Sequence, residues 1–220
     1  ASLPLIDQLS GARIQHELDL IFQESKVFKI MQSLQNLGIL AAIHPELAWS
    51  AIQQKRVQLI AEHIEDSSLN LKDLQTSIWL LWLEVYPDQT ISTISKRLRL
   101  TARVVERVRQ TAQLRKLLPA IQHMKPSQIT KKLTGYPEIV LRTVIFSNED
   151  QAQVQPVRDY LDNYRRVRAY TTGADLKARG LPPSPRYDTL LSELHTAWLD
   201  GKINTYEEEI ALLERLLKSE

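Results

Sequence analysis

Apolar residues recur every three to four positions through most of this chain, which is the period of a helix with one buried face. After Ser10, a good helix cap, Ile14, Leu18, Ile21 and Phe22 fall on one side. Ser25 is the next expected cap, with Val27, Ile30, Met31 and Leu34 inside and Gly38 where a helix should stop. His44-Pro45 breaks the chain, because a residue before proline is pushed out of the helical region. A further helix is expected from about Leu47 to Ile64, with Ser67-Ser68 as a break. The segment "SIWLLWLEVY", within Asp73 to Tyr86, is apolar on nearly every face and belongs in the middle of a core. Thr90 and Thr101 are cap candidates for two more helices, and Pro126, Gly135 and Pro137 punctuate the middle of the chain. The last helix opens "TYEEE", where Thr205 and Glu208 have capping-box spacing. No stretch alternates with period two, and no internal repeat is visible. The pattern predicts an all-α protein, an elongated multi-helix array without significant β-sheet.

Composition narrows the class without naming a function. The 220 residues are 43% hydrophobic and 25% charged, as in ordinary globular proteins. With no cysteine there is neither a disulfide nor a thiolate metal site, which fits a reducing cytoplasm. The longest apolar run, Ile78 to Leu83, is far shorter than the roughly 20 residues a membrane-crossing helix needs. The sequence opens without Met and runs directly into a helix, as a cut end does.

Charge changes the picture. The net value of +2 hides a block structure. Residues 1–95 carry 6 Lys/Arg against 11 Asp/Glu, residues 96–186 carry 19 against 7, and residues 187–220 carry 3 against 8. A central block that basic points to a polyanionic partner, unless acidic neighbours in space offset it.

A search for catalysis finds little. The five histidines are far apart, and none has the spacing of a metal pair. His16 reads as a solvated surface residue. There is no phosphate-cradling glycine loop and no Gly-x-Ser-x-Gly elbow. Glu207 to Glu209 are explained by the preference of a helix start for acids.

The basic block is more informative. "ISTISKRLRLTARVVERVRQTAQLRK" places Lys96, Arg97, Arg99, Arg103, Arg107, Arg109, Arg115 and Lys116 close together, opposed only by Glu106. In its second helix Val104, Val105, Val108 and Ala112 are the expected buried face. Arg103 and Arg107 then stand one turn apart on the other side, spaced to grip neighbouring phosphates. The pair Ile91–Leu98 and Thr101 onward also has the outline of a helix-turn-helix. Its turn lacks the usual glycine, and no Asn or Gln is evidently set to read adenine. Phosphate gripping is favoured over sequence reading.

A second basic stretch, "TTGADLKARGLPPSPRYDTLL", concentrates turn-makers as well as Lys177, Arg179 and Arg186. Thr172 can cap a short helix that Gly180 ends, and Ser184-Pro185 is cap and first residue of the next. Two helix N-termini beside a cationic loop suit a phosphate. A plain helical corner fits the same residues.

At these residues a resemblance enters. "TGADLKARGLPPSPRYDTLLSELHTAWLDG" resembles the C-terminal end of the bacterial-type (class II) tRNA nucleotidyltransferase and poly(A) polymerase family. That family shows Thr-Gly-x-Asp-Leu, then Gly-Leu-x-Pro-Gly-Pro, then a helix ending in Leu-Asp-Gly. Thr172, Gly173, Asp175, Leu176, Gly180, Leu181, Pro183, Pro185, Leu199, Asp200 and Gly201 match, and Ser184 replaces the glycine between the prolines. "ARIQHELDLIF" is similar to the family's Glu-Arg-Ile-x-x-Glu-Leu, keeping Arg13, Ile14, Glu17 and Leu18 but with Ala12 in place of Glu. "LQNLGILAAIHPEL" resembles its Leu-Gly-Leu-Leu…Pro-Glu segment.

The resemblance implies a C-terminal piece: residues 1–48 as the end of a neck, 49–147 as a helical body and 148–220 as a helical tail. It implies tRNA or another structured RNA as partner, with the enzyme's own N-terminal catalytic head as the second. Gly-Ser and Asp-x-Asp motifs mark that head, and neither it nor the nucleotide template of the neck is in this sequence. The segment alone is therefore expected to have no catalytic residues and no cofactor, while Mg2+ and ATP or CTP are implied for the full-length parent. The rival reading is a complete helical protein, either a helix-turn-helix DNA-binding regulator or an interaction scaffold.

Overall fold

The computed structural model describes residue 6 and residues 8–63 and 70–218, and the expected break at Ser67-Ser68 lies outside them. Among the described residues the regular structure is helical: α1 (Gly11–Ile21), α2 (Val27–Asn36), α3 (Ile39–Ile43), α4 (Ala51–Glu62), α5 (Leu71–Leu83), α6 (Asp88–Leu98), α7 (Ala102–Ile121), α8 (Pro126–Leu133), α9 (Glu138–Phe146), α10 (Gln151–Asp162), α11 (Gly173–Ala178), α12 (Pro185–Leu199) and α13 (Tyr206–Lys218). The all-α reading holds. The chain forms two compact units, one from residues 1–119 and 136–154, the other from residues 120–135 and 155–220.

The first unit is built around α5. Every residue from Ser77 to Leu83 is buried, as an all-round apolar helix requires. α4 and α9 pack on it, and α1 packs on α6. Phe22, Trp79 and Trp82 form an aromatic cluster with centroids 5.0 to 6.0 Å apart, and Trp49 joins at 6.3 Å. Each buried ring or leucine contributes about 1.5–3 kcal/mol. Several polar atoms inside are matched: Trp79 Nε1 donates to Asp19 at 2.7 Å, Trp82 Nε1 to the Ala48 carbonyl at 2.8 Å, and the Ser77 and Thr143 hydroxyls meet at 2.7 Å, whereas Trp49 Nε1 is buried without a partner among the described residues. Gly11 lies where α1 comes closest to α6, and a Cβ there would overlap the Arg97 carbonyl oxygen.

The second unit centres on α12, which packs against α8, α11 and α13. Leu176, Leu190, Leu194 and Leu213 form its core, with Leu181, Tyr187 and Leu191 against them.

Some boundaries differ from the sequence pattern. Ser25 is not a cap: α2 starts at Val27, after tight turns through residues 23–26, and its Lys26 cap makes no side-chain bond. The helix expected from Leu47 starts at Ala51, because Gln35 holds the Trp49 N–H at 2.8 Å and Ser50 with Gln53 closes a capping box. Thr90 lies inside α6, which Pro87 and Asp88 open. The buried face of α7 is Val108, Thr111, Leu114, Leu118 and Ile121, and Val104, Val105 and Ala112 are only half-buried.

Candidate nucleic-acid interface

The α6–α7 corner in the first unit carries most of the candidate cations. Lys96 and Arg97 lie in the last turn of α6, where the negative end of the helix dipole favours them. Arg99 comes next, in the left-handed conformation at φ 55°, the one non-glycine among the described residues to do so. The N–H of Leu100 bonds to the Ser95 carbonyl at 3.0 Å and that of Arg99 to the Lys96 carbonyl at 3.4 Å. This closure normally uses glycine at the position Arg99 holds. A cation stands where the backbone would prefer no side chain at all.

The start of α7 departs from rule in the same direction. The Thr101 hydroxyl accepts the Val104 N–H at 3.4 Å, so the expected cap is present. The first turn contains no acid, and Arg103 occupies it against the positive end of the dipole. One turn on, Arg107 is half-buried. Burial first, and then the charge of Arg103, push its guanidinium below the ordinary arginine value, and Asp73 partly offsets them.

The six candidates here are not equivalent. Arg97 donates to the carbonyls of Leu9 and Ile6, each at 3.1 Å, so it ties the N-terminal segment to α6. Arg109 is paired with Asp88 and Ser92. Lys96, Arg99 and Arg103 are exposed and make no ion pair with a carboxylate among the described residues. Arg115, in the same basic helix, grips the buried Glu84 with Nε and Nη2 at 2.9 and 2.8 Å, and Arg56 reaches it at 3.0 Å. Of the six, Lys96, Arg99, Arg103 and Arg107 have no ion pair with a carboxylate among the described residues.

The second candidate stretch is in the other unit. At the start of α11 the cap residue is held by its own helix: Asp175 takes the Thr172 N–H at 2.8 Å and the Thr172 hydroxyl at 2.6 Å. These bonds hold its carboxyl below the usual range. The Tyr170 and Thr171 N–H groups point to Glu209 at 2.9 and 2.6 Å. Gly180 takes the left-handed conformation (φ 83°), and the Tyr187 hydroxyl donates to the Leu181 carbonyl at 2.6 Å, fixing the turn. Lys177 and Arg179 are exposed at the C-terminal end of α11, whereas Arg186 is half-buried.

Sequence reading passed over "YRRVRAY". Arg166 and Arg168 are exposed beside a 3-10 turn at Tyr164–Arg166 and precede the exposed Tyr170. The signal that marks it is arginine interleaved with tyrosine. The described residues bring no group of three or more His, Asp or Glu together as metal ligands.

Comparison with known proteins starts at the N-terminus. Residues 1–50 match the family described as "Probable RNA and SrmB- binding site of polymerase A". Over 97% of its length the chain is 26% identical to the A-adding tRNA nucleotidyltransferase of Geobacter sulfurreducens, of which it spans 26%. Over nearly its whole length the chain is similar to part of a tRNA nucleotidyltransferase. The fold agrees. The CCA-adding enzyme of Thermotoga maritima, complexed with tRNA, matches with a TM-score of 0.71 at 16% identity, over 97% of this chain and 53% of its own. A CCA-adding enzyme with CTP gives 0.70 at 15% identity, over 97% and 52%. At such identities the likeness is one of fold, and the chain covers about half of each of these structures.

The residues that carry the resemblance to the tRNA nucleotidyltransferases make contacts within the fold. Thr172 and Asp175 close a capping box, and Leu176 is fully buried. Gly173 lies against the Tyr187 ring. Leu199 is buried, Asp200 accepts the Ser127 N–H at 3.0 Å, and Gly201 ends α12 at φ 65°. In the N-terminal motif Ile14 and Leu18 are core, while Arg13 and Glu17 face solvent.

Proposed function

We propose that this chain is the RNA-holding C-terminal region of a tRNA nucleotidyltransferase or poly(A) polymerase-like enzyme. It grips tRNA or another structured RNA through the phosphate backbone and positions the 3′ end for nucleotide addition by an N-terminal catalytic head. In this reading residues 1–48 are the end of the neck, 49–147 the body and 148–220 the tail, and the parent works in the cytoplasm. The head supplies the Mg2+ and ATP or CTP chemistry. The described residues do not form a ligand set for that metal, so no reaction step is assigned to them.

One observation carries the reading. At the α6–α7 corner three departures from local rule each add positive charge: Arg99 in a glycine conformation, Arg103 at the wrong end of a dipole, and Arg107 beside Arg103. Each costs folding stability, and a polyanion at that surface is what offsets the cost.

The same corner gives the second reading its support, since α6 and α7 joined by a tight turn have the outline of a DNA-reading pair. A titration of labelled tRNA and duplex DNA between about 50 and 200 mM salt separates the two. Backbone gripping predicts steeply salt-dependent tRNA binding with little sequence preference. Selection of one duplex DNA sequence over tRNA reverses the order.

A further inference from the structure

We infer that Tyr170 and Tyr206 form a stacking platform for an unstacked nucleobase of the bound RNA, an inference that rests on the RNA-binding reading above. Both rings are unusually open for their size, at 62% and 52% exposure, although each touches another aromatic ring. Their centroids are 5.7 Å apart with planes at 82°. Trp198 backs Tyr170 at 5.6 Å. A planar heterocycle stacked on one tyrosine meets the other edge-on, and both arrangements satisfy the ring quadrupoles. Neither hydroxyl has a partner among the described residues, so the rings are not placed to serve an internal hydrogen bond.

The platform is held rigidly from beneath. Glu209 is fully buried, yet it commits its carboxylate to the backbone N–H groups of Tyr170 and Thr171 and to Trp198 Nε1. That one side chain fixes the backbone under Tyr170, the ring behind it, and the first turn of the helix that carries Tyr206. A buried acid that orients two exposed rings makes sense when the rings have a ligand. Rigid aromatics lose little entropy on contact, and every base offers a π-face.

Local charge says how the contact works. Arg166 and Arg168 precede Tyr170, and Glu207 and Glu208 come after Tyr206, so charges of both signs flank the rings along the chain. Affinity here comes from stacking and not from phosphate neutralisation. It is therefore independent of salt, unlike the α6–α7 corner. Unpaired bases are recognised in this way, whereas a blunt duplex offers only its two ends.

The test measures binding of the full chain to tRNA and to a blunt RNA duplex of similar length across a salt series. Tyr170→Ala and Tyr206→Ala should each weaken tRNA binding on the order of tenfold, with the salt slope unchanged. Tyr170→Phe should keep wild-type affinity, and duplex binding should not respond to any of the three. Thermal unfolding checks that the variants are folded. Full tRNA affinity in the Tyr170→Ala/Tyr206→Ala double variant overturns the platform but leaves the RNA reading standing, and the rings then serve a protein partner. A weakened variant with a flattened salt slope overturns it too, because the loss then comes from displaced cations. If the wild-type chain binds no RNA, the underlying reading fails with it.

Discussion

The Asp200 carboxylate accepts the backbone N–H of Ser127 at 3.0 Å, so the acid of the Leu-Asp-Gly motif satisfies the first turn of α8. Pro126 is the first residue of that helix and has no N–H, which makes Ser127 the first donor that needs a partner. Asp200 should therefore behave as a helix cap supplied from a distance. Asp200→Ala should destabilise the chain by about 1 kcal/mol. Asp200→Asn, which keeps an acceptor, should recover most of it. Urea unfolding of the three proteins measures this, and the salt slope of tRNA binding should not move.

Glu209 predicts a pH dependence with a definite sign. Burial alone would raise its carboxyl, but hydrogen bonds from Thr171, Tyr170 and Trp198 outweigh burial and leave it below the ordinary range. A carboxyl depressed in the folded state adds stability that is fully present above its unfolded value, about 4.3. That stability is lost as pH falls through the folded value. Glu209→Gln keeps one acceptor but turns an amide toward buried donors, and should cost about 1–3 kcal/mol at pH 7. The gap between wild type and variant should shrink as the urea series is taken below about pH 4.3.

Arg99 sets stability against binding. A non-glycine residue at φ 55° carries backbone strain of about 1–2 kcal/mol, which glycine relieves. Arg99→Gly should raise stability by up to about 1 kcal/mol. The same change should weaken tRNA binding and reduce the salt slope by about one unit. Thermal unfolding and a salt titration on one preparation test both halves. A variant that gains stability with no loss of binding would remove Arg99 from the interface.

Some features decided within one helical turn were legible in the sequence, though not the starts of α2, α4 and α6. Ser10, Thr172, Pro185 and Gly180 act where the residue pattern placed them, because caps and stops depend on near neighbours, while Ser184 takes the cap position without a side-chain bond. Partnerships across the fold were not. Arg97 looks as available as Arg99 in the sequence, yet its acceptors, Leu9 and Ile6, lie 88 and 91 residues away. Glu84 comes after an apolar run with nothing to mark it, and its arginines are 28 and 31 residues distant. The buried face of α7 departs from the pattern for a related reason. Valines one turn apart suggest a core, but the neighbouring helices select the face through Val108, Thr111 and Leu114. The motif residues that carry the resemblance make contacts within the fold, such as the Asp200 bond to the Ser127 N–H, that spacing alone does not announce.

The central claim is that the α6–α7 corner grips RNA phosphates, and the Arg103→Ala/Arg107→Ala double variant tests it most directly. Alanine is the better helix former, and neither arginine belongs to the buried face of α7, so the helix should remain. Labelled tRNA titrated across a salt series, with circular dichroism as the control, gives the slope of log affinity against log salt. The account predicts weaker binding and a slope flatter by about two units, with helicity unchanged. Unchanged affinity and slope in a folded double variant would contradict it.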